Sequence, residues 1–469
     1  MVGGYLYERL PRRTWMSGLP GLHAARTMHH HLGLGLGIGT VGLLLLTWAW
    51  WDLRSEVRGH EGGLSRVRLA VAVWAAPLML APPLFSGDGW SYVATGDLAG
   101  RGLSPYRWTP ASLPVPLQSG VSPKWLDTPS PYGPLSLVWG GAFSHVTHDP
   151  WALLTWYRVL AVLSLVLMAW AVPVIARRAG RDPVDASWLA VASPFVLAHG
   201  IGGLHNDLTA AALMLAALAV ARPGRWLPAA ALVGVAAAVK SPGLVAAVGV
   251  VLLSVDTGAG WWPRLRRAAE VGAVAVAVLL AAGWLTGLGT GWIAALAVPA
   301  REHTALAITW SLGRWTRVFL EHTGTLGHHV VHVVHPALLA KKLGMVLLAG
   351  TAFWVVFVRR IGSPARALTG TGIVLFAAVL LSPEAHYWYF LWCLPLLACL
   401  VLPRPARAAL VAGIITFGLT APADGAVHVR WLMDRTALVI VLVPLVAWLL
   451  TARADHASGA REVSASGSS

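Results

Sequence analysis

Long apolar runs alternate with short basic or polar breaks along almost the whole chain. About thirteen of the runs approach the length that a helix needs to cross hydrocarbon. They centre on 32–50, 67–84, 152–176, 186–198, 208–220, 227–239, 244–255, 268–288, 337–358, 367–381, 387–401, 408–421 and 436–450. The fourth to seventh are short, so tilting, flank extension or a re-entrant path is expected there. The pattern predicts an all-α polytopic membrane protein, with about 11–13 transmembrane helices in one domain over 32–451. An N-terminal arm (1–31) precedes it. A small polar tail (452–469) follows, with too little apolar surface to order itself. Two long polar stretches interrupt the runs, at 86–134 and 288–336.

The breaks fall into two kinds. One set carries Arg54, Arg58, Arg66 and Arg68; Arg177, Arg178 and Arg181; Arg222 and Arg225; Arg264, Arg266 and Arg267; Arg359, Arg360 and Arg366; Arg404 and Arg407; and Arg453. The positive-inside rule assigns these to the cytoplasm. The tail joins them there. The opposite breaks hold the 86–134 loop, GGLHND (202–207), Lys240-Ser241-Pro242, the 288–336 stretch, SPEAHYWYF (382–390) and 424–435. His, Trp, Pro, Asp and Glu concentrate on that outer side, which points to a reaction centre at the outer face of the plasma membrane. The arm is an exception, since Arg9, Arg12, Arg13 and Arg26 would lie outside. It reads as an interfacial segment, or else the first run does not span. No small-residue cleavage site follows, so it reads as an anchor.

Composition changes little in this picture. The chain is 57% hydrophobic and 12% charged, which excludes a soluble globular protein. A net charge of +15 would raise the question of nucleic acid, but the basic residues flank apolar runs. Anionic membrane lipids are the natural partners of that charge, and nucleic acid is not. The 25 Trp suit interfacial belts and helix packing. Cys393 and Cys399 stand about 240° apart on a helix, so they form neither a disulfide nor a metal site.

Candidate chemistry begins at Asp88. A carboxylate where an apolar run ends is placed either as a proton acceptor or as an N-cap for the next helix. Asp97 would face the other way on such a helix and reads as structural. Seven prolines from Pro110 to Pro134 stiffen the rest of the loop. Trp108, Trp125 and Tyr132 there would stack on a sugar or anchor at the interface. His205-Asn206-Asp207 reads either as a helix cap or as the polar floor of a pocket. Lys240, at membrane depth, must snorkel or meet an anion, and a phosphate is the functional choice. Arg314 and Arg317 run against the topological bias, which a phosphate-binding fork would explain. Arg301, Glu302 and His303 would belong to the same wall. His328, His329, His332 and His335 bring no carboxylate at a recognised spacing, and His29–His31 is weaker still, so no metal is expected. Glu384 suits the first turn of a helix after Pro383. His386 precedes an aromatic run expected at the lipid headgroups, where it would hold a phosphate or an acceptor hydroxyl.

Five stretches in order carry a family likeness: FSGDGWSYVATGDLAGRGLSPY, TPSPYGPLSL, GLHND, AAVKSPG and SPEAHYWYFLWCLPLLA. Together they resemble the actinobacterial polyprenol-phosphomannose-dependent α-1,6-mannosyltransferases of the GT-C superfamily, over roughly residues 69–403. The resemblance implies a GT-C-type helical bundle with its active site at the outer face. It implies a polyprenyl-phosphate mannose donor, a lipid-anchored mannan acceptor, Asp88 as catalytic base and no cofactor. Tyr92, Tyr132, His205, Asn206, Asp207, Lys240, Arg314 and His386 are then the substrate-binding candidates. The family usually has a basic residue just before the aspartate. Gly87 stands there in this chain, so no phosphate contact is expected from that position.

The chemistry is consistent with these residue types. A β-linked lipid phosphate giving an α product requires one inverting displacement and one base. The departing phosphate requires cations, for which Lys240, Arg314 and His386 are available. Two alternatives remain open: the same enzyme class with another polyprenyl-phosphate sugar (arabinofuranose or glucose), or a lipid-linked sugar flippase. No internal repeat is visible and the spans carry few polar residues, which weighs against transport.

Overall fold

A backbone in hydrocarbon must satisfy its own hydrogen bonds, so a chain this apolar folds into helices. The computed structural model describes residues 1–11, 14–300, 304, 306–323, 335–425 and 438–453, and among them every regular element is helical. Among the described residues six helices are long and apolar enough to cross a membrane: α1 (His31–Val57), α2 (Gly63–Leu80), α3 (Pro150–Arg178), α4 (Trp261–Leu285), α5 (Pro336–Val358) and α6 (Arg404–Ala423). A further apolar pair is bent, Val196–Gly202 meeting Asp207–Val220 at 115°, the geometry of a broken span or a re-entrant loop. Four shorter apolar helices accompany them: Pro223–Val239, Ser241–Ser254, Pro364–Leu380 and Leu438–Arg453. The molecule is thus an all-α, multi-pass membrane protein.

Two expected spans do not form. Over 186–198 the helix Pro183–Ala190 stops before Pro194, and Val196–Gly202 continues as a π-helical turn. Over 387–401 a 3₁₀ turn (Tyr387–Trp392) is followed by a short helix (Leu394–Ala398) holding Pro395. Tyr387, Trp388, Tyr389, Phe390 and Trp392 are all buried, so this aromatic run is a wedge inside the bundle and not a headgroup belt.

At one end of the bundle Arg54, Arg181 and Arg407 converge on Asp185, with Arg407 at 2.9 Å and Arg54 at 3.9 Å. Three of the basic loops therefore share that end. Beside it Trp50 stacks on Trp188 at 4.4 Å, and each indole N–H donates to the other residue's carbonyl, at 3.0 and 2.7 Å. The arm sits at the opposite end. Tyr5, Leu6 and Met16 are buried, the Glu8 carboxylate accepts the Phe85 N–H, and Arg26 donates to the Glu8 carbonyl at 2.9 Å. Arg9 and Arg26 thus stay at the end away from the basic loops, beside the 86–134 loop. Arg12 and Arg13 lie outside the described residues, as do most of 424–435 and the tail beyond 453.

The 86–134 loop is a fixed wall. Its helix Asp88–Gly100 packs on the helix Pro134–Ser144 and on α3. Fully buried Asp97 ties Arg101 (2.6 Å) to His148 (2.5 Å), a structural clip on the far side of that helix from Asp88. The Tyr106 hydroxyl donates to the Tyr132 carbonyl at 2.9 Å, and the Ser130 N–H to the Pro105 carbonyl at 2.9 Å. Trp108 is exposed and Trp125 lies under Lys124, so neither reaches the polar cluster described next.

Candidate functional site

Pro82 and Pro83 end the path of α2, and Phe85 turns the chain with a left-handed φ of 64°. The next helix begins at Asp88. Asp88 does not cap it: Gly87 holds the N-cap position, and the Ser86 hydroxyl accepts the Asp88 N–H at 3.2 Å. The Asp88 carboxylate is left at the positive end of the helix, facing inward. It meets the Tyr92 hydroxyl one turn on at 3.5 Å and His205 Nδ1 at 3.5 Å.

His205 stands in the break of the bent crossing, just after Leu204, whose φ is 58°. Its ring lies flat on Trp388, with centroids 3.7 Å apart, and the other face of Trp388 carries the His386 ring at 4.4 Å. His205 Nδ1 is buried and has no hydrogen-bond partner. Asn206 caps nothing with its side chain. Its Nδ2 reaches Ser136 Oγ at 3.4 Å, its backbone N–H reaches the Tyr92 hydroxyl at 3.4 Å, and its Oδ1 is buried without a partner. Unpartnered polar atoms in a buried cluster mark where a ligand would complete the bonding.

Asp207 is fully buried and also caps nothing. It accepts both Lys240 Nζ (2.9 and 2.7 Å) and Trp392 Nε1 (2.7 Å). Lys240 follows the helix Trp226–Val239 in an extended conformation and lies over the rings of Tyr389 (4.8 Å), Trp392 (5.8 Å) and Tyr132 (5.9 Å). The expected partner of Lys240 was a phosphate, but the structure shows a protein carboxylate. The ammonium keeps one N–H beyond the two that Asp207 takes. Glu384 is buried, accepts His386 Nε2 at 2.8 Å, and receives the Tyr389 hydroxyl at 3.3 Å.

Burial pushes the Asp88 carboxyl upward in pKa. The contact with His205 and the charges of Lys240 and His386 outweigh that push and hold it below its ordinary 3.8. Burial drives the Tyr92 and Tyr132 phenols well above their ordinary 10, so both remain neutral donors. The result is an ionised carboxylate among neutral phenols.

The structure gathers Asp88, Tyr92, Tyr132, His205, Asn206, Asp207, Lys240 and His386 in one cluster. Arg314 stands apart, exposed on the helix Ile308–Thr323, and Arg317 pairs with Glu321 at 2.8 Å. Arg301, Glu302, His303, His328, His329 and His332 lie outside the described residues, and His335 is exposed. Among the described residues no three His, Cys, Asp or Glu side chains form a metal-ligand group. Ser136, Trp388, Trp392 and Arg158 were not singled out by the sequence pattern. Only Arg158 had a clear signal there, as a lone charge inside an apolar run.

Backbone contact fixes the wall beside Tyr132. The Gly133 N–H donates to the Val239 carbonyl at 3.0 Å, and a Cβ on Gly133 would lie 2.2 Å from the Ala238 carbonyl oxygen. Gly133→Ala must therefore move the Tyr132 wall away from Lys240, an overpacking worth about 1–3 kcal/mol. Its expected result is a lower melting temperature with reduced turnover per folded molecule, read by scanning fluorimetry and a transfer assay. Wild-type values in both would show that the wall tolerates displacement.

An apolar cavity of about 350 Å³ lies behind Ala81, lined by Trp15, Met79, Leu80, Trp151, Leu154 and Thr155. No titratable side chain lines it.

Fold and site together define a multi-pass membrane protein with a buried cluster of carboxylates, imidazoles and hydroxyls at a sharp break between two apolar helices. A family model described as α-(1→6)-mannopyranosyltransferase, N-terminal domain, matches residues 1–256, and one described as MptB C-terminal domain matches residues 309–453. The chain is 32% identical over 386 residues to α-(1→6)-mannopyranosyltransferase A of Mycobacterium tuberculosis, covering 80% of this chain and 73% of that one. It is 26% identical over 453 residues to α-(1→6)-mannopyranosyltransferase A of Corynebacterium glutamicum, covering 90% and 89%. Among solved structures, the archaeal oligosaccharyltransferase AglB of Archaeoglobus fulgidus, in complex with an inhibitory peptide and a dolichol-phosphate, aligns with a TM-score of 0.40 at 14% identity, over 84% of this chain and 56% of that one. The chain belongs to the α-(1→6)-mannopyranosyltransferase family and is a membrane glycosyltransferase.

Proposed function

We propose that this protein transfers mannose from a polyprenyl-phosphate mannose to a lipid-anchored mannan acceptor, forming α-1,6 links at the outer face of the plasma membrane. The observation that carries the reading is the Asp88–His205 pair, with its ionised carboxylate and its unpartnered imidazole nitrogen. An acceptor hydroxyl seated between them completes the bonding of both.

In the reaction the acceptor oxygen attacks the mannose C1 while the bond from C1 to the donor phosphate breaks. The hydroxyl proton passes to Asp88, and polyprenyl phosphate leaves with the bonding electrons. Inversion needs one base and no covalent intermediate, and Asp88 is the least committed carboxylate of the cluster: its contacts with Tyr92 and His205 are at 3.5 Å, whereas Asp207 and Glu384 accept at 2.7–2.9 Å. The remaining Lys240 N–H and His386 lie on the side suited to the departing phosphate. No metal is required by this scheme. The apolar cavity behind Ala81 suits part of an isoprenoid tail, and the Arg-rich end would then face the cytoplasm.

The test is transfer from radiolabelled polyprenyl-phosphate mannose to a short α-mannoside in membranes containing the protein, with arabinofuranose and glucose donors in parallel. Transfer of mannose alone supports the reading, and transfer from another donor alone overturns it. The pH profile adds a second expectation. Asp88 must be ionised to act, and its pKa lies below 3.8. Loss of the base's contribution to kcat/KM is therefore absent from about pH 7 down to about pH 5. An acid limb from the base centred at or above about pH 5 would assign the role to another group.

A further inference from the structure

Arg158 is wholly buried within α3. A lone guanidinium there is costly unless something offsets its charge. No carboxylate does so: among the described residues Arg158 forms no ion pair. Its partners are four main-chain carbonyls. Nη2 donates to Ala81 (2.9 Å), Pro82 (3.1 Å) and Gly202 (3.4 Å), and Nη1 donates to Ile201. These carbonyls close two helices, α2 and Val196–Gly202. Helix ends leave carbonyls unpaired and carry partial negative charge, which a cation offsets. One planar fork of donors can reach several such oxygens at once, where an ammonium on a thin stem cannot hold the same set.

The two segments so joined carry the chemistry. Beyond Pro82 the chain runs on through Phe85 to Asp88, and beyond Gly202 through Leu204 to His205. Both paths pass a residue in the left-handed region, so their geometry is held against local preference. The Leu84 N–H also donates to the Gly202 carbonyl at 2.8 Å, beside the guanidinium. Stability alone does not explain the choice of Arg. Its Nε is buried without a partner, and an apolar side chain of similar length would avoid that cost.

We propose that Arg158 is a positioning residue, which sets the approach of Asp88 to His205 by pinning the two segments that bear them. The inference deepens the proposed function and rests on it. Asp88 is faced by Tyr92 from its own helix and by Tyr132, His205, Lys240 and His386 from the elements around it. If the pin is loosened, Asp88 draws away from His205, and the upward push of burial on its carboxyl is less opposed.

The experiment is mannose transfer by Arg158→Lys, which keeps the charge and loses the fork, normalised to folded protein by fluorescence-detected size exclusion. The expected result is a fall in kcat of at least about tenfold, as ångström-scale misplacement of a reacting group produces. Donor KM stays within about twofold, and the acid limb of kcat moves to higher pH. Arg158→Gln, with two donors and no charge, supplies the kcat and KM comparison if the Lys variant does not fold. Wild-type kcat per folded molecule in either variant, or an unmoved acid limb in Arg158→Lys, overturns the proposal. Absence of mannose transfer by the wild type would instead overturn the proposed function.

Discussion

Asp88→Asn is expected to lower mannose transfer by at least about a hundredfold, the contribution of a positioned general base, while the protein stays folded. The amide matches the carboxylate in size, and Ser86 still receives the residue's N–H. What disappears is the charge that the acceptor proton would join. The loss at the helix terminus amounts to about 0.3–1 kcal/mol, which a multi-pass bundle absorbs. The donor contacts proposed for Lys240 and His386 lie on other elements, so donor KM is expected to stay near the wild-type value. Single-turnover transfer at equal membrane abundance separates the chemical step from binding. A variant that turns over normally would remove Asp88 from the mechanism and leave the family assignment intact.

Lys240→Met is expected to have the second-largest effect, and on folding before chemistry. It leaves the Asp207 carboxylate fully buried with only the Trp392 indole as a donor. Removing one partner of a buried pair costs about 3–5 kcal/mol, because the other charge has no compensation. A folded yield several-fold below wild type and a lower melting temperature should follow. The double variant Lys240→Met/Asp207→Asn removes both charges, so it should recover most of the yield. Transfer should remain low even then, because the ammonium proposed to meet the donor phosphate is gone. Full activity in the double variant would show the pair to be purely structural.

The helices were legible because membrane crossing is a matter of length and apolarity, both of which a sequence displays directly. The two spans that did not form failed for local reasons: Pro194 and Pro395 interrupt them, and aromatic bulk draws the second into the interior. Asp88, His205, Lys240 and His386 were visible as polar residues at the ends of apolar runs. Their pairings were not. Lys240 meets Asp207 across 33 positions and Trp392 meets Asp207 across 185, and no periodicity encodes such contacts. The capping alternative for Asp88 was reasonable by composition, and it loses because Gly87 holds the N-cap position and Asp88 is already the first residue of the helix. Arg314 illustrates the converse. Its sign and side of the membrane drew notice, but an exposed position on an amphipathic helix explains it equally well.

Trp388 has a mechanical consequence. Its indole separates two imidazoles, His205 on one face and His386 on the other, at 3.7 and 4.4 Å. The three rings form a single stack, so the two imidazoles share one spacer. Under the proposed function, a displacement of the 382–392 segment is expected to carry the His205 ring with it, and so the seat proposed for the acceptor hydroxyl. Occupancy of one proposed substrate position would then be felt at the other through the thickness of an aromatic ring, with no helix having to move.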